Sequence, residues 1–398
     1  MLVPGVYLLE NSVQNYAWGS KSAFSEFLAM DNPDDMPMAE LWMGAHPKSP
    51  SFVIVGDNRF SLLDVIASEP EGWLGECCAS RFGSLPFLFK VLGIASPLSI
   101  QAHPDKRQAE AGFARENEIG IPLDAANRNY KDDNHKPEVI CALTPFWALR
   151  GFREPSDIIA RFRHPAFEPF SAYVDRLEVD KSPRGLAAFF EGIMSCEPEV
   201  KEKVVSMAFS AFRDNPEPEY RWLERLFMLY PGDIGVLAPL YLNLVKLAPG
   251  EAMFLPAGVL HAYLEGVGVE LMANSDNVLR GGCTPKHVDV KELMRVLRFE
   301  SSSCVEILRP QVTDSKKWGY SLPTDEFSLT FIEEGSREHK NSSIEILILI
   351  GERASIEWQG GVLELTRGQS AVIAGSVGQS RISVEGGRLY CASVPCKD

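Results

Sequence analysis

Basic charge is scarce in this sequence. Its 398 residues hold 39 Lys and Arg against 54 Asp and Glu, for a formal net charge of −15. A surface this acidic repels phosphate backbones and anionic lipid headgroups, so neither nucleic acid nor a membrane is an expected partner. Long hydrophobic runs are also missing, since nothing approaches the roughly 18 apolar residues that cross a bilayer. The opening residues Met1-Leu2-Val3-Pro4-Gly5 lack a positive segment followed by an apolar one, so no signal peptide is expected. The eight cysteines include no C-x-x-C pair and no spacing that reads as a disulfide framework. Cys77 and Cys78 are adjacent, Cys391 and Cys396 lie close in the tail, and free thiols in a reducing, cytoplasmic setting are expected. A metal, if held, then belongs on nitrogen and oxygen donors.

What is present is ordinary globular material. Apolar residues make up 45% and charged residues 23%, which excludes a largely disordered chain, and the length calls for two or three domains. Three textures follow one another. Residues 1–152 are rich in Gly, Pro and aromatics, with short apolar runs such as Phe52-Val53-Ile54-Val55 and Phe87-Leu88-Phe89 that read as strands. Lys90 interrupts the second run, and a buried lysine needs an anionic partner or a route to solvent. Across 153–233 the period becomes helical. Asp157 is placed to cap a helix, Val200, Val204, Met207, Ala208, Ala211 and Phe212 share one face, and Tyr220, Leu223, Phe227 and Tyr230 form a second stripe. Strand texture resumes at about 235, completes a first β unit through 305, and fills 306–398 with short runs separated by turns such as Gly360-Gly361 and Gly386-Gly387.

Gly250, Pro256, Gly258 and His261 follow the spacing Gly-x5-Pro-x-Gly-x2-His, which resembles the second sequence motif of the cupin barrels. Glu265 stands where that motif usually has Asn. The stretch from Leu247 can be laid over the stretch from Leu365, where Gly368 matches but Ala374 and Ser376 replace the Pro and the second Gly, and no His follows. A related second barrel would therefore have no metal ligand at that point.

Only seven histidines are present, so each neighbourhood can be weighed. Gln101 and His103 sit two apart after the strand signal Leu98-Ser99-Ile100, which puts both on one face. Pro104 favours extended backbone at His103. A second segment, Asn134-His135-Lys136-Pro137-Glu138, approaches another strand, and His261 ends the cupin-like spacing. Taken alone, a strand histidine is usually structural. Together, two histidines, a glutamate and a glutamine on strand ends can make a four-donor site suited to Zn²⁺. His46 reads as structural or supporting, while His164 and His339 read as exposed.

The stretch Tyr130 to Glu138 resembles the Y-x-D-x-N-H-K-P-E signature of the type I mannose-6-phosphate isomerases. Further blocks in the same order carry the likeness across the chain: Gln14 to Ser20, Ala39 to Pro47, Leu98 to Pro104, His261 to Leu264, and Ser275 to Gly282 with Thr284-Pro285-Lys286. The resemblance implies two cupin-like jelly-roll β-barrel domains, mainly β, with an α-helical domain inserted in the first. It implies one Zn²⁺ per chain held by Gln101, His103, Glu138 and His261, a sugar phosphate substrate, and a monomer. It places Arg280 in the active site and Trp18, Ser99, Lys136, Glu270 and Lys286 in the pocket.

Turning an aldose into a ketose through a cis-enediol or enediolate moves a proton between C2 and C1. It demands a base, support for the oxyanion and a cationic anchor for the phosphate. Lys136 is the candidate base, with His135 its rival and phosphate binding its other reading. Arg280 suits the oxyanion. Lys90 and Lys286 suit the phosphate, with Ser99 donating to it. Glu270 and Asp276 either meet sugar hydroxyls or assist ring opening, or else hold Arg280 and Lys286 by ion pairing, and Trp18 either stacks on the sugar or packs. Two competing readings are another cupin metalloenzyme, such as an Fe(II) oxygenase, and a sugar-phosphate sensor without turnover.

Overall fold

A computed structural model describes residues 2–314 and 317–396, apart from the side chain of residue 314. Its central element is the strand His261–Ala273, thirteen residues in which Gly266 and Gly268 alternate with Val267 and Val269. The strand pairs antiparallel with Phe87–Ile94, Glu138–Ala142 and Phe146–Phe152, and His261 itself lies opposite Gln101 of Ile100–Ala102. The ladder shifts register between Tyr263 and Glu265, next to Gly266 at φ +132°, where an added Cβ would meet the Phe146 backbone at 2.9 Å. Ser12–Gln14, Glu40–Gly44, Leu242–Leu247, Ala252–Leu255 and Leu279–Gly282 complete a ten-stranded sheet. It curls into a cupin-type barrel.

The helical texture folds as expected, with most starts marked by proline and Ser171–Val179 the exception. Pro155–Phe162, Pro183–Ser195, Pro198–Phe212 and Pro218–Leu229 all begin with Pro in the first turn, where its missing N–H has no intrahelical partner to lose. Asp157 consequently lies inside the first turn rather than at the cap, which Glu154 occupies. The helical segment also runs further than its texture suggests: Ile234–Leu237 and Ala238–Tyr241 are still helical, with Pro239 in the first turn of the latter, before the strand at Leu242.

The remaining strands build a second barrel. Gly335–Lys340, Arg353–Trp358, Gly361–Thr366 and Gln379–Glu385 form a four-stranded sheet facing a nine-stranded one, and Leu347, Leu349, Ile356, Leu365 and Ile382 fill the space between. The fold is thus mainly β, two cupin-type barrels with helices. The shared Gly turn survives in both barrels, since Gly250 (φ +87°) and Gly368 (φ +78°) each link two strands. Strands of the first unit do not all stay in its sheet. Val6–Glu10 pairs with Ser370–Ile373 on one side and Phe52–Val55 on the other, which brings Asn58–Ser61 along. Outward faces of both barrels share one apolar core that includes Phe89, Val139, Leu271, Leu329, Ile346 and Tyr390.

Two expectations need correction here. Cys77 and Cys396 are not free thiols but form a disulfide across 319 residues; Cys78, Cys141, Cys196, Cys283, Cys304 and Cys391 are free. The sequence hides this because the partners are brought together only by the docking of the tail on helix Glu76–Phe82, where Arg81 donates to the Pro395 carbonyl at 2.8 Å. His339 is not exposed but buried on Gly335–Lys340, with its Nε2 2.6 Å from Glu345. Its neighbours Glu338 and Lys340 point outward on the same strand and gave the segment a solvent-facing look.

Candidate metal centre

Strand alternation decides which side chains meet. Ile100 and Ala102 enter the core formed with the helices, as do Leu260, Ala262 and Leu279. Their neighbours Gln101, His103, His261 and Arg280 therefore face the opposite way. The helical segment acts as a clamp on the back of these strands. Gln101 lies in register with both His261 and Arg280. Glu138 comes from the adjoining sheet, paired with Leu255 and Met272, and shares its face with Ile140 and Ala142, which line the barrel interior. Gly258 sets the approach to His261. It holds φ +79°, its N–H donates to the His103 carbonyl at 2.8 Å, and an added Cβ would strike the Val296 carbonyl at 2.9 Å.

His103, Glu138 and His261 are all buried, and one donor atom from each lies within 4.8 Å of the others. His103 Nδ1 donates to the Asn277 carbonyl at 2.7 Å and His261 Nδ1 to the Val259 carbonyl at 2.8 Å. A carbonyl only accepts, so both rings carry their proton on Nδ1 and turn a bare Nε2 lone pair inward. His103 Nε2 stands 3.4 Å from Glu138 Oε1 and His261 Nε2 3.3 Å from Glu138 Oε2, but with both ring protons on Nδ1 these contacts have no hydrogen to share, and neither Nε2, nor Glu138 Oε2, has a hydrogen-bond partner. Three buried acceptors left without a donor are costly unless a cation joins them. The set fits a divalent ion with N and O ligands. Burial pushes His103 down to about 4, with Glu138 opposing, so its imidazole is neutral at pH 7. Burial works against the Glu138 carboxylate, but the charge of Lys136 overcomes it and holds the group well below its ordinary value. Lys136 Nζ stands 3.1 Å from Glu138 Oε1.

Around this cluster the other expected residues divide into two groups. Arg280 and Lys286 line a cleft of about 390 Å³ with Arg128, Lys131 and His287. Burial, followed by the charges of Arg280 and Lys131, lowers Lys286, although Asp124 and Asp276 also line the cleft. Ser99 is half-buried, two residues before Gln101. Trp18 is partly buried against the barrel interior and stacks on Tyr16 with centroids 5.8 Å apart.

The second group is committed elsewhere. Lys90, 6% exposed, has its ammonium 3.1 Å from Glu270 and 3.4 Å from Glu40. Burial opposes its charge, yet the two carboxylates raise it above the ordinary lysine value. Lys90 therefore does not offer a bare cation to a phosphate, and Glu270 holds Lys90 rather than Arg280 or Lys286. Asp276 likewise pairs with Lys48 at 2.6 Å and faces His46 at 3.6 Å. His135 Nε2 is 2.6 Å from Glu326, whose carboxyl is brought down to about 2 by that contact and by Thr324 against the pull of burial.

Glu40 and Asn277 were missed from the sequence. Glu40 alternates with Trp42 on a fully buried strand, so it had to point inward with a cation beside it. Asn277 gave no such signal, because an asparagine in a loop is ordinary turn material.

A cupin-type barrel with a buried His–Glu–His cluster defines a metal-binding barrel protein. Residues 6–155 match the model described as phosphomannose isomerase type I, catalytic domain. The chain is 45% identical over 392 residues to the mannose-6-phosphate isomerase of Escherichia coli (strain K12), covering 96% of this chain and 97% of that one. It is 39% identical over 330 residues to the Homo sapiens mannose-6-phosphate isomerase, covering 76% and 75%. A crystal structure of a phosphomannose isomerase variant from Salmonella typhimurium superposes with a TM-score of 0.94 at 41% identity, over 98% of this chain and all of that one. A zinc-bound mannose 6-phosphate isomerase matches with a TM-score of 0.92 at 41% identity, over 98% and 100%. The chain belongs to the type I phosphomannose isomerase family.

Proposed function

We propose that this chain is a zinc-dependent isomerase that interconverts mannose 6-phosphate and fructose 6-phosphate as a cytoplasmic monomer. The observation that carries the reading is the trio of unpartnered, buried donors on His103, Glu138 and His261. Gln101, in register with His261, is the fourth ligand. When bound, zinc acts as a Lewis acid toward a sugar oxygen.

The chain's own residues supply the rest. Lys136 accepts the proton from C2 at its Nζ and returns it to C1, while the O2 hydroxyl proton passes to O1. Position supports this choice over His135: Lys136 Nζ lies beside Glu138 of the donor cluster, whereas His135 Nε2 is engaged by Glu326. Arg280 stays charged although burial lowers it, and its place beside Gln101 suits support of the enediolate oxygen. Lys286 binds the 6-phosphate with Lys131 in the cleft they share with Arg280, and Ser99 donates to it. Trp18 covers the sugar, and Asp276 meets its hydroxyls while anchored by Lys48. Lys90 leaves the phosphate to these groups and keeps Glu40 and Glu270 neutralised inside the barrel.

The test adds fructose 6-phosphate to zinc-loaded protein and measures mannose 6-phosphate. Conversion is expected, and His261→Ala is expected to lose both zinc and turnover. Folded, zinc-replete protein that binds fructose 6-phosphate without converting it would be a sensor, and the isomerase reading would fall.

A further inference from the structure

Residues 131–137 carry neither helix nor strand, yet they deliver His135, Lys136 and then Glu138 to the site. A loop without a ladder must find other partners for its backbone. Most of them come from one side chain. Asn277, fully buried, accepts from the N–H groups of Lys131 and Asp132 at 2.7 and 3.2 Å. Its amide donates to the carbonyls of Asp132 and Asn134 at 2.8 and 2.9 Å, and to Asp132 Oδ1 at 3.2 Å. Ser275 strengthens the same knot, with its hydroxyl 2.8 Å from Asp132 Oδ1 and 3.2 Å from the Asn134 carbonyl. Asp132 closes it by accepting from the Asp276 N–H at 2.7 Å.

The backbone of the same asparagine reaches the other half of the site. Its carbonyl receives His103 Nδ1–H at 2.7 Å, the contact that fixes which nitrogen faces the cluster. One residue thus grips the Lys136 loop with its side chain and a ligand imidazole with its main chain. We propose that Asn277 is a positioning residue that locks the His103 tautomer and the 131–136 loop into one unit, so that ligand and base hold a fixed separation. The role deepens the isomerase reading and rests on it for its catalytic part, while its metal-binding part stands on the donor cluster alone.

Asn277→Asp is the decisive variant. It keeps the size and the accepting oxygen but replaces the amide donor, so three acceptors face another acceptor. Partners of this kind typically carry a 10- to 100-fold effect on metal affinity or activity when removed. Zinc affinity by chelator competition is expected to fall by about 10-fold or more. Amide exchange across 131–134 is expected to quicken. In zinc-saturated protein, kcat is expected to drop by about 10-fold with KM within about threefold. Ser275→Ala, which removes only the hydroxyl's contacts, is expected to move all three readouts in the same direction by less, and serves if Asn277→Asp does not fold.

Zinc affinity within twofold of the parent, with unchanged exchange at 131–134, overturns the proposal in either folded variant. A rise in KM at constant kcat overturns it too, since that marks a substrate contact. Should the parent bind zinc yet fail to isomerise, the isomerase reading is lost, while affinity and exchange still decide the positioning role.

Discussion

Replacing Lys90 by methionine separates a structural cation from a substrate-binding one. The ammonium lies between Glu270 at 3.1 Å and Glu40 at 3.4 Å, and 5.5 Å from the Trp42 ring centroid. At an effective dielectric of about 20, each ion contact amounts to roughly 5 kcal/mol of gross attraction, most of which offsets the cost of burial. Lys90→Met removes the cation but leaves two buried carboxylates facing each other, and losing one partner of a buried pair costs about 3–5 kcal/mol. Protonation limits the loss. Burial already raises Glu270, as do Glu138 and Glu40, and Lys90 is the first group opposing them. Without Lys90 the Glu270 carboxyl rises further. A carboxyl raised in the folded state binds more protons there than in the unfolded chain, so stability falls as pH rises from the ordinary carboxylate range through the raised value. The variant should therefore lose more at pH 8 than at pH 5.5. Urea unfolding of the metal-free protein, followed by far-UV circular dichroism at both pH values, measures this without any substrate. If Lys90→Met keeps the parental stability and instead raises KM for the phosphorylated sugar alone, then Lys90 binds phosphate and the reasoning from its carboxylate partners fails.

Lys136→Met should keep zinc but lower kcat by about 10²–10⁴ with little change in KM, read from steady-state kinetics on metal-analysed protein. Unchanged kcat with a raised KM would make Lys136 a binding group. In the second barrel, burial works against the Glu345 carboxylate, but His339 holds it below its ordinary value of 4.5. Its stabilisation is present above that value and is lost as pH falls through the lowered one, so Glu345→Gln should flatten the acid side of the unfolding profile. An unchanged acid limb in the variant would contradict that assignment.

The fold was legible where local chemistry and tertiary packing agree. The stripe from Val204 to Phe212 has only one apolar face to bury, so its helix follows from spacing alone. Gln101 and His103 were legible as neighbours on one face because strand side chains alternate, and His103 does join Glu138 and His261 in the buried cluster. What could not be read depends on contacts between distant segments. Cys396 meets Cys77 only after the tail docks. Charge alone does not tell whether Lys90 meets a ligand or a carboxylate, because Glu40 and Glu270 reach it across two different strand pairings. Asn277 acts through hydrogen bonds with a loop some 145 residues away, which leave no periodic trace.

The partnership between Val6–Glu10 and Ser370–Ile373 has a consequence for how the molecule is made. Leu9 and Ser370 are 361 residues apart. At about 5–20 residues per second, the ribosome takes roughly 20–70 s to deliver the second strand after the first. For that interval Val6–Glu10 has one of its two edges unsatisfied, and the second barrel cannot close until Ser370–Ile373 has been made. A chain released short of residue 370 would leave its beginning, as well as its tail, without a place to go.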